Sequence, residues 1–317
     1  ILEPKEENSL KNDIPVLNEI TDQVSYKVRK QYEENQYTRW IDLRLHPQKV
    51  AISEFVKKID LTLQNNNILS IEKPNILIAG CGTGQHSIDT ASRFKNCKVL
   101  AIDLSLSSLA YAKRKTNELA IENIEYMQAD ILDLGKLNKQ FDIIESGGVL
   151  HHMDNPMKGW EVLTDCLKPG GLMKIGLYSE LARNHIVKIR EEISQLGIGS
   201  SIAEMRSFRE TIIRSDIDHH KLIIKSPDFY SLSTLRDLLF HVQEHRFTIP
   251  LIKDHLNKLG LKFCGFESSK IVPHFKLTNK NKEDPYQSAD LGILKYSVPE
   301  YLSLIHISEP TRRRGIS

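Results

Sequence analysis

An α/β fold built on a doubly wound, mostly parallel sheet is what this sequence predicts, and three observations predict it. From Asn75 onward, short apolar runs alternate with helical patterns, the mark of a sheet with helices on both faces. One such run enters a glycine loop, "ILIAGCGTG" (Ile76–Gly84), and the next, "VLAIDLS" (Val99–Ser105), ends in an aspartate. At 317 residues, 40% hydrophobic and 26% charged, the chain can bury a substantial core as one large domain or two modest ones.

The elements follow in order. Ile1–Asp13 is polar and reads as loose. Val24–Asn35 and Pro47–Leu63 read as helices, joined by the aromatic stretch "QYEENQYTRW" (Gln31–Trp40). Strands are expected at Asn75–Ala79, Lys98–Asp103, Ile124–Gln128, Phe141–Glu145 and Gly171–Leu177, the last launched by the turn "KPGG". Helices fit Gly84–Phe94, Ser105–Leu119, Asn155–Leu167 and Leu181–Leu196. Ser201 and Glu204 have capping-box spacing at the head of a helix over Ser201–Arg214. Thr234–His245 reads as a further helix and Leu261–Glu267 as a returning strand, with no convincing seventh strand after it. The layout is an N-terminal helical lid (1–72, with 1–13 loose), a core (73–180), a helical insertion between the fifth and sixth strands (181–255) and a closing strand region (256–301).

The stretch Leu302–Ser317 has no amphipathic period, resembles translated adapter read-through and is expected to lie outside the fold. Arg312, Arg313 and Arg314 against Glu309 supply the whole net charge of +2, so the remainder is neutral. A neutral body offers no electrostatic reason to expect nucleic acid or membrane as partner. No apolar run approaches the roughly 20 residues that cross a bilayer. The four cysteines, Cys81, Cys97, Cys166 and Cys264, are scattered without metal-ligand spacing, which fits a reducing cytoplasm. A chain opening on Ile1 reads as a piece of a longer protein.

Gly80, Gly82 and Gly84 let backbone approach a ligand where a Cβ would intervene. A dinucleotide loop would read G-x-G-x-x-G, but the sixth position here is Gln85, so the pattern is G-x-G-x-G. Asp103 closes the second strand, where a carboxylate can accept from both hydroxyls of a ribose or simply cap the following helix. In "MQADILDL" (Met127–Leu134), Asp130 lies past the third strand, suited to an exocyclic adenine amine, with the Ile131 backbone reading the ring edge. In "FDIIESGGVLHHMDNP" (Phe141–Pro156), small residues after Glu145 leave room for a ligand at the switch point of such a sheet.

With "CLKPGGLMKIGLY", these motifs make Asn75–Leu177 resemble the class I S-adenosylmethionine-dependent methyltransferases, whose sheet is Rossmann-like. The resemblance implies S-adenosylmethionine (SAM) as cofactor. Gly80, Cys81, Gly82 and Gly84 would pack on its methionine part, Asp103 with Leu104 would hold the ribose, and Asp130 with Ile131 would meet adenine. Glu145 and Tyr32 are added on the cofactor side. "QYEENQYTRW", "LYSELARNHI" and "DFYSLSTLRDLLFHVQEHRFTIP" are similar to bacterial methyltransferase domains found behind tetratricopeptide repeats, and such a repeat segment upstream is expected. Methyl transfer to a nucleophilic acceptor, a protein or a small molecule, by in-line displacement is the implied reaction.

Around the methyl group, His151 and its neighbour His152 are candidates, although "HHMDNP" also reads as the capped start of a helix. "HVQEH" (His241–His245) matches H-x-x-E-H, the inverted zinc-peptidase pattern. With no partnered downstream acid, no metal is expected; His241 and His245 are instead candidate catalytic groups, and Tyr230, Arg236 and Glu244 candidate acceptor contacts or simply a polar helix side. Tyr32, Asn35, Tyr37 and Trp40 could lie over the sulfonium or close the core. The alternatives are a SAM-binding module without catalysis, a nicotinamide-dependent oxidoreductase and a zinc hydrolase.

Overall fold

The computed structural model describes residues 2–266, apart from positions 38, 60 and 64, together with residues 301–308. Three helices precede the sheet: α1 (Leu2–Asn12), α2 (Gln23–Glu34) and α3 (Ile52–Lys58). Then β1 (Asn75–Ala79), α4 (Gln85–Arg93), β2 (Lys98–Asp103), α5 (Leu106–Glu118), β3 (Ile124–Gln128), β4 (Phe141–Gly147), α6 (Pro156–Asp165) and β5 (Leu167–Tyr178) alternate. Four helices follow, α7 (Asn184–Gln195), α8 (Ile202–Ile213), α9 (Asp218–Ile223) and α10 (Leu232–Phe240). Helix α11 (Ile249–Leu259), β6 (Lys262–Phe266) and β7 (Tyr301–Ser308) complete the described chain.

The sheet order is β3-β2-β1-β4-β5-β7-β6; the first five strands are parallel and β7 runs antiparallel to both its neighbours. Strand periodicity sorts the side chains onto two faces. Ile76 and Ile78, with Val99 and Ala101, pack beneath α3, α4 and α5, while Leu77, Ala79, Leu100 and Ile102 meet α6 and α11 on the other face. This is the expected doubly wound, Rossmann-like sheet. Because β1 lies between β2 and β4, the chain leaves β1 on one side of the sheet and β4 on the other, opening a crevice at their carboxyl ends.

Three expectations need correction. Residues 2–12 are a helix: Glu7 reaches the buried Arg114 at 3.1 Å, and Leu10 packs on the core beside Ile14, so tertiary contacts order a segment whose composition reads as loose. Helix α10 ends at Phe240, and "HVQEH" is extended. Arg190 takes the His241 carbonyl at 2.7 Å, and the chain then runs beside His151 and β5 through His245 N–H to His151 O (2.7 Å) and Phe247 N–H to Tyr178 O (2.8 Å). Finally, residues 301–308 form β7, the seventh strand that the sequence reading lacked. An apolar run flanked by strands on both sides needs no amphipathic period, which is why a test for one misses it. The rest of the expected closing region and foreign tail, 267–300 and 309–317, lies outside the described residues. Among the described residues, no helix is long and apolar enough to cross a membrane.

Candidate active site

The crevice at the carboxyl ends of β1, β2 and β4 is a cavity of about 530 Å³. Its floor is the loop after β1. Gly80, Gly82 and Gly84 have φ of +78°, +52° and +87°, backbone that other residues rarely adopt, and the loop turns tightly into α4. Asp103, the last residue of β2, holds that loop. Its carboxylate accepts the Gly82 N–H at 2.8 Å and the Ser105 N–H at 2.9 Å, and burial raises its pKa despite these bonds. Asp130 caps a short 3₁₀ turn by accepting the Leu132 N–H at 3.0 Å, and burial raises it too. Both aspartates line the cavity, as do Gly80, Cys81, Gly82, Leu104 and Ile131. Gly148 lines it as well, and a Cβ on Gly148 would meet nothing within 4 Å, so open space borders bare backbone there.

The far wall comes from the lid and the insertion. Tyr32 on α2 donates to the Asp237 carboxylate on α10 at 2.6 Å, and the Tyr32 oxygen lies 3.1 Å from His241 Nε2. Burial pushes the Asp237 carboxyl up to about 6 and the Tyr32 phenol well above its ordinary value. His152 stacks on His241 with ring centroids 3.6 Å apart. Burial holds both imidazoles well below their ordinary pKa, hence neutral near pH 7. His152, Tyr32 and Asp237 reach the cavity together.

This geometry agrees with what comparison with known proteins finds. Residues 76–171 match a family described as a methyltransferase domain. The solved structure of PKMT2 from Rickettsia typhi in complex with AdoHcy superposes with a TM-score of 0.61 at 18% identity, over 87% of this chain and 56% of that one. The fold is that of the class I methyltransferases. Among curated proteins, an uncharacterized protein of Synechococcus sp. is 30% identical over 203 residues, 61% of this chain and 48% of that protein. A malonyl-[acyl-carrier protein] O-methyltransferase of Ilyobacter polytropus is 29% identical over 122 residues, 38% of this chain and 45% of its own length. The chain thus spans about half the length of these curated relatives.

Several predicted residues lie elsewhere in the methyltransferase fold. Gly84 sits under α5, where a Cβ would come 2.5 Å from that of Ala112, so its role is the close approach of the start of α4 to α5. Glu145 points away from the cavity: it takes His86 Nε2 at 2.6 Å and Thr90 Oγ1 at 2.7 Å on the α4 face. Burial would raise its pKa, but Lys174 beside it and the His86 bond outweigh that and hold it well below the carboxylate range. His151 is fully buried between Tyr178, on which it stacks at 3.6 Å, and His152, and its ring nitrogens have no hydrogen-bond partner among the described residues. Glu244 is also buried, held by Arg183 through two bonds of 3.0 and 2.7 Å, while Arg183 lies over the Tyr178 ring. Arg236 pairs with Glu34, Tyr230 is exposed and bonds the Ile224 carbonyl, and His245 meets Gln243. His241 stands just behind Tyr32.

Tyr37 lines the cavity, whereas Trp40 closes the core against Tyr111. Two cavity residues that sequence reasoning left unassigned are Asp237 and His86. Asp237 had a signal, a lone acid in the mostly apolar face of α10; His86 had none beyond following the glycine loop.

Proposed function

We propose that this chain transfers the sulfonium methyl of SAM to a nucleophilic acceptor. One observation carries the reading: the glycine loop, Asp103 and Asp130 converge on a single cavity at the switch point of a methyltransferase fold. The residues fit the cofactor. Gly80 and Gly82 would lie against its amino-acid part, Asp103 would accept from the ribose hydroxyls, and Asp130 with the Ile131 backbone would meet the adenine edge. When bound, SAM supplies an electrophilic methyl group.

The chain's own task is then alignment. Orientation of two reactants contributes on the order of 7–11 kcal/mol in favourable cases. Tyr32, Asp237 and His152, which meet in one wall of the cavity, would place the acceptor, and the neutral His152 ring can take a proton from an acceptor that must lose one. That PKMT2 was solved with AdoHcy and that the Ilyobacter relative is named an O-methyltransferase supports this reading.

Calorimetry with SAM and with NAD is the first test, with SAM expected to bind and NAD not. Labelled methyl transfer from SAM into a bacterial lysate then identifies the acceptor by its labelled product. Preference for NAD overturns the reading; SAM binding with no labelled product across broad acceptor panels would leave a cofactor-binding module instead.

A further inference from the structure

We infer that His152, His241 and Asp237 form a binding site for a divalent first-row transition metal in the wall of the cavity. One donor atom from each of the three lies within 4.8 Å of the others, and all three residues are buried. Two imidazoles and one carboxylate are the donor set that such ions take, and zinc bonds of about 2.0–2.2 Å ask for only a modest contraction of this cluster.

The second observation is how the rings are held. The Nδ1 atoms of both histidines sit on one acceptor, the Gln243 carbonyl, at 2.7 Å for His152 and 2.8 Å for His241. For His152 this contact places the proton on Nδ1 and leaves the Nε2 lone pair unprotonated. His241 Nδ1 also meets the Gln243 N–H at 3.2 Å while its Nε2 meets the Tyr32 oxygen at 3.1 Å, so a metal would bind its Nε2 only in the Nδ1–H tautomer. Metal-ligating histidines are oriented in this way, by donating the other ring N–H to a backbone carbonyl or carboxylate. The abrupt end of α10 at Phe240 gives this arrangement a reason, because the extended turn over His241–Gln243 folds that carbonyl back under both rings. The two nearest cations, Arg183 and Arg190, both face the buried Glu244 carboxylate, Arg183 through two bonds of 3.0 and 2.7 Å and Arg190 at 3.8 Å.

Tyr32 marks the position of the ion. Its hydroxyl bridges Asp237 Oδ1 at 2.6 Å and His241 Nε2 at 3.1 Å, two of the proposed ligands, so the phenol oxygen would join the ion as a fourth donor or give way to it. The donor set differs from the H-x-x-E-H reading: His245 and Glu244 are engaged elsewhere, and only His241 is shared. The site is read by metal binding, so it stands or falls apart from the methyl-transfer assignment.

The test uses the full chain, stripped with a chelator and titrated with Zn²⁺ against a chromophoric indicator. One equivalent should bind, and His152→Ala, His241→Ala and Asp237→Asn should each weaken it by at least about tenfold. Glu192→Gln, in the separate cluster where Glu192 meets His219 and His220, should leave this binding unchanged. If an alanine variant fails to fold by circular dichroism, X-ray absorption of the zinc-loaded His219→Ala/His220→Ala variant, which lacks the imidazole pair beside Glu192, decides, and must show two imidazoles with oxygen donors. No saturable Zn²⁺ binding by the stripped wild type, binding retained in the His241→Ala/Asp237→Asn double variant, or binding lost only with Glu192→Gln overturns the proposal.

Discussion

The Tyr32 hydroxyl meets the Asp237 carboxylate at 2.6 Å across a sequence separation of 205 positions, and this bond fastens α2 of the lid to α10 of the insertion. Replacing Tyr32 by Phe removes the donor and leaves a buried carboxyl with one partner fewer. A loss of about 1–2 kcal/mol in unfolding free energy is expected. Denaturant titration of Tyr32→Phe, Asp237→Asn and the double variant checks it: the two effects should be clearly less than additive. SAM affinity should change far less than methyl transfer.

Asp103→Asn should weaken SAM binding by about tenfold or more, since a charged acceptor of two hydroxyl bonds becomes neutral with one donor end misplaced. The Gly82 and Ser105 contacts suggest that some loop order goes with it. Calorimetry measures the first effect, and an unchanged affinity would remove the ribose assignment.

The pH dependence of that affinity has a stated sign. Burial raises the Asp103 pKa, so its protonated form appears at higher pH than for an ordinary carboxylate. Binding that needs the ionised form should therefore begin to weaken, on acidification, above the ordinary Asp range of about 3.9. Calorimetry across pH 4–7, roughly the window above that value, checks it.

For Glu145 the linkage runs the other way. Its folded pKa is depressed from the ordinary 4.5, so its stabilisation is complete above the unfolded pKa and fades as pH falls toward the folded one. The difference in melting temperature between the wild type and Glu145→Gln should be largest near neutral pH and shrink below about 4.5. A difference that stays constant with pH would mean that Lys174 and His86 do not hold the ionised form.

Gly80→Ala puts a methyl group 2.2 Å from Val149 Cγ2, at a φ of +78°. Both the clash and the backbone strain oppose it, by about 1–3 kcal/mol each. Val149→Ala in the same chain should relieve the clash but not the strain, so rescue should be partial, as thermal denaturation can measure.

The sheet was legible in the sequence because its strands are short apolar runs that cannot be amphipathic helices, and because Asp103 and Asp130 each end such a run. What the sequence left hidden turns on single-residue register. His151 and His152 are chemically identical, and only the 3₁₀ turn at Leu150–His152 decides that His152 reaches the cavity while His151 stacks under Tyr178. Glu145 follows the same logic, since the period of two in β4 turns it to the α4 face. Helix α1 was illegible for a different reason: its anchor, the pair of Glu7 with Arg114, joins positions 107 apart. "HVQEH" has helical spacing, and tertiary bonds to β5 and Arg190 override it.

Helices α7 to α10 bury a set of side chains, among them Ile189, Phe208, Phe229 and Leu238, that is separate from the two apolar clusters gripping the sheet. Such a division frees evolution's hand. Substitutions within the appended bundle can redraw the surface it offers while the sheet and the crevice at its edge keep their shape, so kin of this chain are free to diverge there without first rebuilding their foundations.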